Sequence, residues 1–224
     1  MYIPPNFRVD DTARLSAFMD AYSFATLVTC QDSVPFATHL PVRHICEDGA
    51  CTTLIAHMAR ANPQWRHFSP DVEVLTIFTG PHAYISPSWY ATETAVPTWN
   101  YTAVHVYGFP TVITDHAQLV ALLEETMHFY ERTMARPWPG TLPHELRDNL
   151  IRSIVAFEIQ VTRMEGKFKL GQNRSEADLA GVYDALAASA QFGDRELADV
   201  MASAGLVSGS IGSNSGDEPA RSND

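Results

Sequence analysis

Four segments carry side chains suited to chemistry on an anionic, planar ligand. In LIAHMARANPQW (54–65) a strand is expected to end near His57. Asn62-Pro63 then reads as a helix start, with Asn62 as cap and Pro63 in the first turn. Such a start leaves main-chain N–H groups unpaired beside a partial positive charge, which favours a phosphate. Arg60 just before it reads either as a bidentate partner for that phosphate or as a solvated loop residue. In ATHLP (37–41), His39 and Pro41 face one side of a strand, Thr38 and Leu40 the other. Pro41 has no N–H for a ladder, so the strand is expected to end or lie at an edge there. Main-chain groups at that point are then open to the edge of a ligand ring. His39 by itself reads as a structural or surface histidine.

EGKFKLGQNR (165–174) alternates so that Lys167 and Lys169 share one face and Phe168 and Leu170 the other. Two neighbouring ammonium groups repel, so their face meets either solvent or an anion. Gln172, Asn173 and Arg174 follow as an amide-rich stretch suited to hydrogen-bonding a heterocycle. The fourth segment is GPHAYISPSWYATETAVPTWNYTAVHVYG (80–108), where Pro81, Pro87 and Pro97 exclude one long strand or helix. It is expected to run as strand, rigid loop, strand. Trp89, Tyr90 and Trp99 on it either wall a flat aromatic ligand or bury against a second subunit.

These segments need a scaffold. FATLVTC (24–30), FATHLPVR (36–43), CTTLIAHM (51–58), VEVLTIFTG (72–80), WNYTAVHVYGF (99–109), IVAFEIQVTRM (154–164) and KFKL (167–170) read as strands. Their short spacing, with turn signals between, favours a closed antiparallel barrel, mainly β with peripheral helices. One helix is expected after Asp10 or Asp11, carrying Leu15, Phe18, Met19 and Tyr22. A second is expected from about Asp115 to Met134, with others starting near Pro143 and Ser175.

Residues 1–190 read as one domain, and 191–224 as a C-terminal extension that is disordered from about 206, where Gly and Ser dominate. The net charge is −11, of which six acids against two arginines put −4 in residues 193–224. The remaining −7 opposes casual nucleic-acid binding. No apolar run reaches the length of a membrane span, and the start lacks the pattern of a secretory signal, so a cytoplasmic protein is expected. Cys46 and Cys51 flank an expected Asp48-Gly49 turn and can approach one another. The favoured reading for all three cysteines is buried or half-buried free thiols.

MYIPPNF, FATHLP, HMARANPQW, GPHAYISPSWY, VPTWNYTAVHVYG and EGKFKLGQNR, in that order over roughly 1–185, resemble blocks of the PaiB family. Its members are described as FMN-binding negative transcriptional regulators. The resemblance implies a split β-barrel of the antiparallel, Greek-key type, related to pyridoxamine-phosphate-oxidase-like flavoproteins, and a homodimer with FMN in a cleft between subunits. It places Arg60 and Asn62, with Lys167 or Lys169, at the phosphate, and Thr38, His39 and Leu40 at the isoalloxazine edge. Ser86, Trp89, Thr98, Trp99 and Asn100 would close the cleft from the partner chain, and Gln172 and Asn173 would reach the heterocycle. Three functions stay open: a regulator whose DNA contact rests on family analogy alone, an FMN-dependent oxidoreductase acting on a small molecule, and a haem protein on the same fold. In the last case His57 is the candidate axial ligand; otherwise no metal is expected. No residue is singled out as catalytic.

Overall fold

The computed structural model describes residues 1–47, 49–140 and 142–207. The expected tail therefore falls largely outside the described residues, as does Asp48 of the expected turn. Two compact units are present: Met1–His82 with Asn100–Leu170, and Ala83–Trp99 with the chain from Gly171 onward.

The first unit is built on the barrel. The short strand β1 (Arg8–Val9) precedes α1 (Thr12–Ala21), where the Asp11 carboxylate accepts from the N–H groups of Ala13 and Arg14. Strands β2 (Phe24–Gln31), β3 (Val34–Glu47) and β4 (Ala50–Ala59) follow as an antiparallel meander. Asp32 and Ser33, both at positive φ, make the tight β2–β3 turn. Then come β5 (Val74–Ile85), β6 (Thr98–Val112), α2 (His116–Glu131), α3 (His144–Arg152) and β7 (Ile154–Lys169). The strand order is β1-β7-β4-β3-β2-β5-β6, and β6 also pairs with β7. That last pairing closes six strands into a barrel, with β1 added on β7. The two late strands expected from the sequence are one continuous β7.

Pro41 does not end its strand. Residues 34–41 of β3 pair with β2, and residues 42–47 pair with β4. Pro41 sits where β3 passes from one partner to the other, the position at which a missing N–H is least damaging. The anticipated free main chain is thus a handover inside a 14-residue strand.

Alternation along β4 buries both of its faces. Leu54 and Met58 point into the barrel with Phe157 and Ile159 of β7. Ile55 and Ala156 face outward and are covered by Leu119, Leu122 and Ile151 of α2 and α3. Cys46 and Cys51 are cross-strand neighbours, and all three thiols are free. Cys51 is buried, whereas Cys30 and Cys46 are exposed, contrary to expectation, because they lie where their strands run out to solvent.

The second unit holds the Pro-rich loop, α4 (Glu176–Ala188) and α5 (Asp194–Ser203); the latter was not anticipated. Ser175 caps α4 through the N–H of Asp178. Asp178 is buried and accepts both the N–H and the hydroxyl of Thr92, each at 3.0 Å. Burial pushes its carboxyl up, but the bonds from Thr92 and Ser175 outweigh burial and hold it below its ordinary range. Gly181 is required by close approach, because a Cβ there would lie 2.1 Å from the carbonyl oxygen of Trp89.

Candidate functional site

The junction after β4 is tied down by a set of side-chain hydrogen bonds. Asn62 caps a five-residue 3-10 helix, Pro63–His67, rather than an α-helix; its Oδ1 accepts from Gln64 N–H at 3.0 Å. Its amide nitrogen donates to Thr38 Oγ1 at 2.9 Å, tying the junction to β3. Gln64 is fully buried, and its Nε2 donates to the carbonyls of Leu27 (3.0 Å) and Phe36 (3.1 Å). His67 Nδ1 lies 2.9 Å from Thr29 Oγ1. Thr38, Asn62, Gln64 and His67 thus lock the junction onto the β2–β3 hairpin. Sequence reading singled out Thr38 and Asn62 but passed over Gln64 and His67. Both lie in or beside the HMARANPQW block, yet a buried glutamine leaves no periodic trace.

Arg60 is neither free nor merely solvated. Its Nε donates to the carbonyl of Arg152 at 2.8 Å and its Nη2 to that of Ile154 at 2.6 Å. Its own main chain accepts from Trp65 Nε1 and donates to the Ser153 carbonyl. The guanidinium is therefore held by two of its five N–H groups against the start of β7, with its orientation fixed.

Lys167 occupies the other end of β7. Only 7% exposed, it is largely withdrawn from solvent: its ammonium donates to the Tyr2 carbonyl at 3.0 Å. It also lies 5.1 Å from the Tyr101 ring centroid and 5.6 Å from that of Tyr2. A buried ammonium is tolerable only with such partners. Lys169 pairs with Tyr101 across β6 and β7, next to the buried Asn100. Thirteen residues separate Arg60's anchor at Ile154 from Lys167, about 40 Å of strand contour. Arg60 and Lys167 are thus anchored towards opposite ends of β7.

On the outer face of the β2–β3 hairpin, His39 Nδ1 is 2.9 Å from Thr26 Oγ1, and the ring stacks near Phe24. Leu40 turns inward, 3% exposed, so its side chain belongs to the core. Cross-strand pairing puts Phe24, Val28, Ala37, His39, Leu75 and Ile77 on one outward sheet face. Phe24 is 69% exposed there, and Val28, Leu75 and Ile77 are half-buried. His57 lies on a different surface, the helix-covered face of β4, where burial lowers its pKa and keeps the imidazole neutral near pH 7.

In the second unit, Trp99 is exposed and its ring meets Tyr84 edge-on at 6.1 Å. Ser86 Oγ caps the short turn that holds Trp89, and Arg174 stacks on Tyr90 at 4.4 Å. Thr98 opens β6, and Gln172 and Asn173 follow Gly171 ahead of α4.

The donor set fits a nucleotide. It consists of cations, hydroxyls and amides, and among the described residues no three His, Cys, Asp or Glu side chains group in a way that could hold a metal ion. A closed antiparallel barrel carrying such donors at a strand-to-turn junction defines the class of split-barrel flavoproteins. Residues 1–163 match the family described as "Putative FMN-binding domain", and the chain belongs to it. The chain is an FMN-binding protein of the PaiB type. It is 37% identical over 203 residues to the protease synthase and sporulation protein PAI 2 of Bacillus subtilis (strain 168), covering 90% of this chain and 96% of that one. Among solved structures it resembles the flavocytochrome Anf3 from Azotobacter vinelandii, with TM-score 0.59 and 16% identity over 78% of this chain and 75% of that one. It also resembles the FAD and heme binding protein from Mycobacterium smegmatis, with TM-score 0.57 and 15% identity over 77% and 78% of the two chains. At such identities these two establish the fold. No helix among the described residues is long and apolar enough to cross a membrane.

Proposed function

We propose that the protein works as a homodimer that binds FMN and uses it for electron transfer to or from a small molecule. The observation that carries this reading is the fixed Arg60 guanidinium beside the Thr38–Asn62 link. Two anchored N–H groups leave others on the same planar fork for a phosphate, at a geometry already set before the ligand arrives. Asn62 and Thr38 border that phosphate, and His39, steadied by Thr26, lies at the isoalloxazine edge. The outward apolar face around Phe24, Val28, Leu75 and Ile77 supports pairing with a second copy. That copy supplies Lys167 or Lys169 and the aromatic loop bearing Ser86, Trp89, Thr98, Trp99 and Asn100, with Gln172 and Asn173 near the heterocycle.

Bound FMN supplies the redox chemistry. The chain's own part is to hold the phosphate, exclude water with its aromatic side chains, and place a cation where the reduced ring carries negative charge. Regulation by direct DNA contact is the weaker reading. The chain is −11 overall, and in α3 Glu145 and Asp148 offset Arg147 and Arg152.

The test is the absorption spectrum of protein purified without added cofactor, followed by mass spectrometry of the released chromophore. Flavin bands, FMN as the released species, bleaching by dithionite and a dimer mass in solution are expected. A Soret band, which would make His57 an axial-ligand candidate, would overturn the reading. So would a colourless monomer that takes up no FMN.

A further inference from the structure

A cavity of about 440 Å³ lies in the first unit, on the opposite side of β4 from the barrel interior. His57, the haem-ligand candidate, lines it, and none of the side chains proposed at the flavin does. Its walls are apolar: Leu123 and Met127 of α2, Ile151 of α3 and the Trp138 indole. Two contacts set the wall formed by the α2–α3 connection before any occupant arrives. The Trp138 main-chain N–H donates to the Glu131 carboxylate at 2.7 Å. Gly140, at φ +71°, closes on Met127, where a Cβ would lie 2.3 Å from Met127 Cε. The volume lies within the range of small-molecule sites, and is about three times that of a cavity that admits one benzene ring.

The lining selects by charge. Arg147 is engaged on its own helix: Asp148 lies 3.7 Å from its Nε, and His144 Nδ1 lies 3.1 Å from its Nη2. Glu124, the other charged residue of the lining, is exposed, so water screens its carboxylate. Among the described residues the half-buried His57 imidazole makes no hydrogen bond, and burial keeps it neutral near pH 7. A charged head group would have to shed its water against apolar walls and one neutral ring, which is unfavourable for either sign. A hydroxyl loses little, because a neutral imidazole offers both an acceptor nitrogen and an N–H donor. The Trp138 indole and the Met127 thioether favour a flat ring over an alkyl chain. We infer that this cavity binds an uncharged aromatic alcohol, its rings against Leu123, Met127 and Trp138 and its hydroxyl hydrogen-bonded to His57. The site is separate from the flavin site and does not rest on the flavin reading.

Calorimetric titration of the purified full chain, kept in excess FMN at pH 7, tests the proposal with 2-naphthol, 2-naphthoate and 2-naphthylmethylamine. The neutral naphthol is expected to bind at least about tenfold more tightly than the anion or the cation. His57→Leu should weaken 2-naphthol at least about threefold and leave 2-methylnaphthalene, which has no hydroxyl, unchanged. Leu123→Trp, which fills the cavity, should abolish 2-naphthol binding while far-UV circular dichroism and FMN content stay as in the wild type. The inference fails if 2-naphthol shows no binding up to millimolar concentration, or if either charged analogue binds as well. It also fails if either folded variant binds 2-naphthol as the wild type does, or if 2-naphthol displaces FMN, which would place it at the flavin. FMN content is read separately, so loss of the flavin reading leaves this result interpretable.

Discussion

Replacing Arg60 separates anchoring from ligand binding. Arg60→Ala removes the donors to the carbonyls of Arg152 and Ile154, two charge-assisted bonds at 2.8 and 2.6 Å. Bonds to charged groups contribute roughly 1.5–3 kcal/mol each, and water at this exposed junction replaces part of that, leaving about 1 kcal/mol apiece. The sum is about 2 kcal/mol, which for a chain of this size lowers Tm by about 4–8 °C in the apo form. Arg60→Lys keeps the charge but has one ammonium where the fork spans two carbonyls, so about half of that loss is expected.

Ligand affinity follows a different rule. Loss of a phosphate partner should weaken FMN binding about 10- to 100-fold, or ~1.4–2.8 kcal/mol. Riboflavin, which lacks the phosphate, should change less than twofold. Differential scanning fluorimetry of apo protein and fluorescence titrations with both flavins, on wild type and both variants, read the two effects separately. An apo Arg60→Ala variant melting with the wild type refutes the anchoring argument. Equal losses for FMN and riboflavin refute the phosphate assignment, and so does no loss for either.

Three further outcomes are expected. Gly181→Ala forces a methyl against the Trp89 carbonyl and should destabilise the second unit by ~1–3 kcal/mol, seen as earlier proteolysis within 87–99; unchanged cleavage would show that the loop yields freely. With Ellman's reagent at pH 8, Cys30 and Cys46 should react in the native protein and Cys51 only after unfolding. Burial, reinforced by neighbouring Cys46, pushes the Cys51 thiol up to about 12, so three fast thiols would contradict its placement. Burial also lowers the pKa values of His44, His57 and His105 below 6.5. The unfolded chain therefore takes up protons first as pH falls, and urea midpoints should decline from pH 7.5 through 6 to 5. A flat or rising midpoint would mean those imidazoles are not desolvated.

What was legible in the sequence was local. Asp11, one of two expected caps, and Asp115 cap their helices, and the helix expected near Ser175 starts there, since such signals act within three residues. The strands showed through their β-branched and aromatic content, and their turn spacing pointed to a barrel. What stayed hidden depended on residues far away in the chain. Pro41 looked like a strand end because the change of partner from β2 to β4 is a tertiary event. Lys167 looked exposed because the groups that accept it, Tyr2 and Tyr101, lie 165 and 66 positions away. The same limit explains the candidate site. Arg60 and Lys167 were each recognisable as cations beside ligand-like motifs, but only the fold shows that one strand holds them at its two ends. In the proposed dimer a ligand touching both would draw on two copies of the chain. The outward face around Phe24 and Ile77 is the surface proposed for their contact. A double-mutant test follows: Phe24→Lys with Ile77→Lys should yield monomers that lose FMN although every side chain proposed at the phosphate remains in place. If those monomers keep FMN at wild-type affinity, the cofactor is held within one chain and the second-copy cation is not needed.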